Sequence, residues 1–414
     1  MKSNYRMVKL ACYATNSSMS VVSNLPPLLF LSFRPLYGIS YSLLGLLVVI
    51  NFVTQLTVDL IFSFFSHKFN IEKTVRATPL ITAIGLVFYA LWPYLFPGHV
   101  YLGLVLGTII FSAGCGLAEV LISPVIAAIP SDDPDRQMSA LHSVYAWGVV
   151  FVILFGTLFL LLFGGQNWQI LALILSIIPI TASILFGCTK LPPMQTVERA
   201  TDIHKYLKNK ALWFSVFAIF LGGAAECTMA QWCSSYIEKA IGIPKLWGDI
   251  FGVAMFSVLL GIGRSTYAKR GKSIGKVLLC CSIGATVCYL VAAVSSVPII
   301  GLIACALTGL CTSMLWPGNL IVAADRFPTA GVFLYAMMAA GGDLGASVAP
   351  QLVGIITDAV IANDKLSAMA GNLGLAPDQL GMKLGMLVGM LFPLVGIFVF
   401  IRLRKERVKK GLEQ

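Results

Sequence analysis

Four carboxyl side chains stand inside stretches that are otherwise apolar: Asp59, Glu119, Glu226 and Asp343. An acid in hydrocarbon costs at least about 2.5–3.5 kcal/mol on insertion scales, so such a residue normally faces a cavity or a partner. Glu119 is the most informative. A shift of 193 residues lays Gly116, Leu117 and Pro124 on Gly309, Leu310 and Pro317, and the same shift lays Glu119 on Thr312. An acid kept in one copy of a repeat and not in the other serves more than packing symmetry. A carboxyl that opens alternately to the two sides of a membrane can carry a proton, whereas one that only packs is held neutral by a hydrogen bond to a neighbouring helix.

The other acids sit in distinct settings. Glu226 closes the run Gly222-Gly223-Ala224-Ala225-Glu226, whose small residues admit a close backbone or ligand, and Gln231 and Trp232 follow. An amide beside an indole face suits a sugar-sized polar ligand, and a Trp near a membrane surface is the packing alternative. Asp343 lies in Gly341-Gly342-Asp343-Leu344-Gly345, where a structural hydrogen bond and a ligand contact are both open. Asp59, nearer the cytoplasmic end of its helix, reads as a gating residue that pairs with Arg264 or caps a helix start. Asn24, His142, Tyr145 and Trp147 are expected to line a polar cavity, and Trp316 and Asn319 to complete a substrate site with Glu226, Gln231, Trp232 and Asp343.

These residues need membrane helices to position them. Of 414 residues, 58% are hydrophobic and 11% charged, a balance that excludes a water-soluble enzyme and a disordered chain. Apolar runs bounded by charge, Pro or Gly predict twelve helices, at 8–33, 41–66, 77–96, 100–129, 138–163, 167–187, 211–237, 246–268, 275–294, 298–323, 331–358 and 381–403. Of the 29 Lys and Arg, 24 fall on the face that holds both termini and 5 on the other. Positive residues stay cytoplasmic, so both termini are expected inside a cell inner or plasma membrane. The net charge of +11 is thereby spent on loops and tail, and no nucleic acid is expected. Residues 1–187 and 211–414 read as two six-helix halves joined by a cytoplasmic linker, 188–210, which carries Pro192 and Pro193. Parallel halves of this kind enclose a site near the bilayer midplane.

Other chemistries find no support. Gly271-Lys272-Ser273 lacks the earlier glycine of a phosphate loop, the four histidines are too dispersed for a metal motif, and no nucleophile elbow or C-x-x-C pair occurs. No cofactor and no metal is expected. The longest outer connection, 361–381, carries Lys365, Asp378 and spaced leucines, which predicts one or two short amphipathic turns on the outer surface.

The halves, the linker and the termini make the whole chain resemble the major facilitator superfamily. The run from Gly114 to Pro124, with Glu119 inside it, resembles the fucose permease branch, whose fourth helix carries a glycine-rich stretch, a Glu and then Asn-Pro; Ser123 stands here for the Asn. Gly223-Ala224-Ala225-Glu226, Leu141-His142-Ser143-Val144-Tyr145 and Trp316-Pro317 are similar to patterns of the same branch. The superfamily's basic loop is reduced to Ser66-His67-Lys68-Phe69-Asn70, and the first helix has no acid. The resemblance implies an all-α major facilitator fold and a monomeric secondary transporter, not an enzyme. It further implies import of a sugar or similar small polar solute with a proton held at Glu119; the gating role of Asp59 and Arg264 rests on their place in the chain and not on the resemblance. A drug or metabolite exporter of the same superfamily, for which Glu226 with Trp232 would suit a cation, and a non-transporting sensor or scaffold are the alternatives.

Overall fold

The structure is a computed structural model that describes residues 5–65, 68–130, 134–192, 206–270, 273–327, 331–409 and 411. The helices are α1 Arg6–Tyr37, α2 Tyr41–Phe65, α3 Ile71–Leu95, α4 Val100–Ala127, α5 Pro134–Phe163 and α6 Trp168–Gly187, then α7 Lys210–Tyr236, α8 245–270, α9 Ile274–Val294, α10 Pro298–Thr312, α11 Pro317–Arg326, α12 Gly331–Ala362, α13 Asp364–Asn372 and α14 Pro377–Lys409. No strand occurs among the described residues. Ten helical stretches there are long and apolar enough to cross a membrane, and Trp147–Phe163 of α5 is a shorter apolar one. With α1, and with α10 and α11 as two pieces of one crossing, they make the twelve segments of an all-α, multi-pass membrane fold.

The chain divides into two compact units, one of Met1–Tyr37 and Ile50–Arg199, the other of Gly38–Val49 and Ala200–Gln414. In the first, α3 packs on α4 and α6, and α1 on α5 and α6; in the second, α9 packs on α10 and α14, and α7 on α12 and α14. The pairing scheme is therefore the same six crossings later. Glycine makes it possible at both places. A Cβ on Gly85 would stand 2.3 Å from the Phe111 nitrogen across α3 and α4, and one on Gly345 would stand 2.1 Å from the Phe220 carbonyl across α7 and α12. Backbones that approach this closely gain packing that lipid cannot supply.

Local signals set several boundaries. Asn70 caps α3 by accepting from the Lys73 nitrogen at 3.0 Å, and Arg76 one turn on donates to the Phe186 and Thr189 carbonyls at 2.6 and 2.8 Å, closing the end of α6. Residues 38–49 group with the second unit because Asp358 of α12 accepts from the Tyr41 and Ser42 nitrogens at the start of α2, at 3.1 and 2.6 Å. The expected continuous span 298–323 is broken at residues 313–316. Pro317 brings no N–H, and Leu315 and Gly318 donate instead to Thr312 and Met314. The end of α7 and the start of α8 pass through π turns at Ile237–Ile241 and Asp249–Ala254. Most of the expected linker, residues 193–205, lies outside the described residues.

Candidate functional site

In the first unit, α2 carries a stripe of buried polar side chains one turn apart, Asn51, Gln55 and Asp59. Such spacing puts all three on one face. That face meets α4, where Ser112 Oγ donates to Asn51 Oδ1 at 2.6 Å and a Cβ on Gly116 would stand 3.1 Å from the Gln55 Cα. One turn further along α4 stands Glu119, whose charge acts on Asp59. Asp59 is buried and Glu119 exposed, so of the two carboxyls, linked through their charges, one reaches open space. Two like charges at close range cannot both persist away from water, and a single proton or a small cation relieves them. Asn51, Gln55 and Ser112 did not stand out in the sequence, although the four-residue repeat of amides in an apolar helix is the signal that marks them.

A second polar seam joins α1 to α5. Asn16 Nδ2 donates to the Leu141 carbonyl at 2.7 Å and Ser20 Oγ to the Tyr145 carbonyl at 2.8 Å, while Asn24 Nδ2 donates to the Ser20 carbonyl at 2.9 Å. Gly148 packs on Ser20, and its neighbour Trp147, 70% exposed, turns away from the seam. The side chain of His142 lies outside the described residues.

In the second unit the charged residues that meet are an acid and a base. Arg264 of α8 donates through Nη2 to both oxygens of Glu226 of α7, at 2.9 and 3.1 Å, and through Nε to the Ser313 carbonyl at 3.1 Å. The expected partnership of Asp59 with Arg264 is thus replaced, because the guanidinium is taken up within its own unit. Asp343 of α12 is buried, and its charge reaches Cys227, the neighbour of Glu226, as do those of Glu226 and Arg264. Trp316 lies across the glycines that join α7 to α12, so that Cβ atoms on Gly342 and Gly223 would meet its ring at 2.4 and 3.0 Å.

Two of the expected ligand-binding side chains are engaged in packing. Trp232 is fully buried, its Nε1 donates to the Pro350 carbonyl at 2.9 Å, and its ring lies 5.9 Å from that of Tyr41. Asn319 is buried and donates to the Leu315 and Ala218 carbonyls at 2.6 and 3.3 Å, bracing the broken crossing against α7. Gln231 is buried next to Trp232. A groove of about 450 Å³ between α3 and α6 is lined by apolar side chains such as Ile84, Phe88, Trp92 and Ile180, and none of these polar groups borders it.

The family model of the Major Facilitator Superfamily matches residues 11–350. No curated protein matches the chain at the sequence level. Among solved structures, a bacterial homologue of the human lysosomal transporter Spinster, inward-facing and occupied, is similar with a TM-score of 0.74 at 13% identity over 99% of both chains. The E. coli fucose:proton symporter is similar with a TM-score of 0.59 at 16% identity, over 95% of this chain and 99% of that one. A D-xylose-proton symporter gives 0.67 at 15% identity, over 94% and 97%. At these identities the likeness is one of fold.

Proposed function

Because the chain belongs to the Major Facilitator Superfamily, a family of membrane transporters, we propose that it imports a sugar or similar small polar solute by alternating access, driven by a proton bound at Glu119. The observation that carries this reading is that the charge of Glu119 acts on buried Asp59: a buried acid electrostatically linked to one that reaches open space can take a proton from one side and return it to the other. Two solved structures of the same fold are proton symporters of fucose and of xylose, which agrees with it. In this reading the transporter works as a monomer, with both termini in the cytoplasm and in a cell inner or plasma membrane. Asn24, Tyr145, Trp316, Asp343 and the Glu226–Arg264 pair are its solute-facing groups.

A drug or metabolite exporter is the weaker alternative, since Arg264 neutralises Glu226 and Trp232 is fully buried, which removes the cation site they would form. The experiment is uptake of labelled monosaccharides into proteoliposomes under an imposed pH gradient. Gradient-driven accumulation is expected for the parent protein, and only downhill exchange for Glu119→Gln. Equal accumulation by the two proteins removes the proton from Glu119.

A further inference from the structure

The guanidinium of Arg264 is only partly used. It offers five N–H groups, of which Nε meets the Ser313 carbonyl and Nη2 meets Glu226. Among the described residues Nη1 makes no hydrogen bond to the protein, and the side chain is 39% exposed against 14% for Glu226. Donors left without acceptors are expensive inside a membrane, so this part-exposed edge of the fork is open to a polar partner. A second observation agrees. Gly261, three residues earlier on the same helix face, has open space where a Cβ would stand. The ring of Trp316 lies over Gly223 of α7, one turn before Glu226.

We propose that the solute is a monocarboxylic sugar acid, of the hexuronate or aldonate class, whose carboxylate takes Arg264 from Glu226. The inference rests on the transporter reading above but not on the role given there to Glu119. A planar fork with a free edge binds a carboxylate bidentately. A single negative charge is called for, because the displaced partner carries one, and a phosphate ester would overcompensate one guanidinium. The indole of Trp316 supplies the face on which the C–H side of a sugar ring packs.

The exchange also fixes a proton. Before it, Arg264 and Glu226 cancel; after it, Arg264 and the solute carboxylate cancel, and Glu226 is left beside Asp343 and Cys227 with no cation. The cluster keeps its charge only if one proton arrives on a Glu226 oxygen with each acid bound. No covalent bond forms or breaks, and the entry of acid plus proton moves no net charge.

The test uses the purified full-length protein with glucuronate, galacturonate and gluconate against glucose, galactose and fucose. Thermal unfolding reports binding, and a pH indicator in weak buffer reports proton uptake. At least one acid is expected to raise the unfolding temperature by several degrees and to take up about one proton per molecule bound, while the neutral hexoses do neither. Glu226→Gln keeps an amide in place of the competing carboxylate. It is expected to bind the acid roughly tenfold more tightly and to lose the proton uptake. The double variant Arg264→Gln with Glu226→Gln, which buries no lone charge, is expected to lose the response to acids. A neutral hexose that stabilises as strongly as the acids, or a Glu226→Gln protein that binds them more weakly, overturns the inference. Uptake of neutral hexose under a pH gradient then leaves the transporter reading standing; failure of every solute to accumulate counts against both.

Discussion

In the first unit the charged side chains that meet across α2 and α4 are two acids, Asp59 and Glu119. In the second, Glu226 of α7 meets a base, Arg264 of α8. The helices around them pack by one scheme, and the repeat-matched glycines do one job, Gly116 admitting the backbone of α2 and Gly309 that of α8. The difference is one of charge and of place, the two acids lying on the second and fourth crossings and the acid and base on the seventh and eighth. A pair of acids can be relieved by a proton alone, whereas an acid–base pair is already neutral and changes only when a new partner arrives. In the proposed transport reading, one unit exchanges protons with water and the other exchanges partners with solute.

The largest expected effect tests that division directly. Arg264→Ala strands the carboxylate of Glu226, which is 14% exposed against 39% for Arg264, and breaking this part-buried pair is expected to cost about 2–3 kcal/mol. Glu119→Gln removes one of two like charges and is expected to leave thermal stability within about 0.5 kcal/mol of the parent. Thermal unfolding of the two variants in one detergent checks the contrast. Equal losses would mean that Glu119 has a structural partner like that of Glu226.

The next effect compares the matched glycines. A Cβ on Gly309 would stand 2.1 Å from the Phe256 carbonyl oxygen, a backbone atom that cannot step aside, while one on Gly116 would stand 3.1 Å from the Gln55 Cα. Gly309→Ala is expected to cost about 1–3 kcal/mol by overpacking and Gly116→Ala less than about 1 kcal/mol. The reverse order would show the α2–α4 seam to be the tighter of the two.

Much of this frame could be read from the chain alone. The crossings appear as apolar runs, and the matched glycines surfaced through the shift of 193 residues. What stayed hidden depends on which helix faces which. Arg264 is an equal distance in principle from any acid until α7 and α8 are seen side by side, so its partner could not be told from Asp59. Trp232 has the composition of a ligand contact, and only its burial against Pro350 and Tyr41 shows it engaged in packing. The break at 313–316 was foreshadowed by Pro317, yet Pro is tolerated inside α1, α3 and α6, and the residue type alone does not separate the two outcomes.

A smaller effect probes the polar stripe beside the acids. Ser112→Ala removes the donor to Asn51 Oδ1 and leaves a buried amide oxygen unmatched, an expected loss of about 1 kcal/mol. If the stripe sets the spacing of α2 against α4, the same variant also changes the pH dependence of uptake. A change in stability with an unaltered pH profile would reduce the stripe to helix glue.

The smallest effect lies where the units close their last hairpins. The first joins α5 to α6 by the three-residue turn Gly165–Asn167, while the second inserts α13 between α12 and α14. This helix matches the expected amphipathic turn: Leu366, Ala370 and Leu375 pack on Val360 and Leu380, and its start is capped by Asn363, whose Oδ1 accepts from the Lys365 and Leu366 nitrogens at 3.0 and 3.1 Å. The chain ends the helix at Asn372 and turns at Gly374, where a φ of +68° favours glycine. Asn363→Ala is expected to cost about 0.5 kcal/mol, the low end for a lost cap, because the exposed nitrogens can turn to water. If α13 is only a longer way of closing the hairpin than the turn of the first unit, solute affinity measured from the outside stays the same. A weaker affinity would make this insertion a cover that the first unit does without, and would extend the asymmetry of the two units from their charges to their outer face.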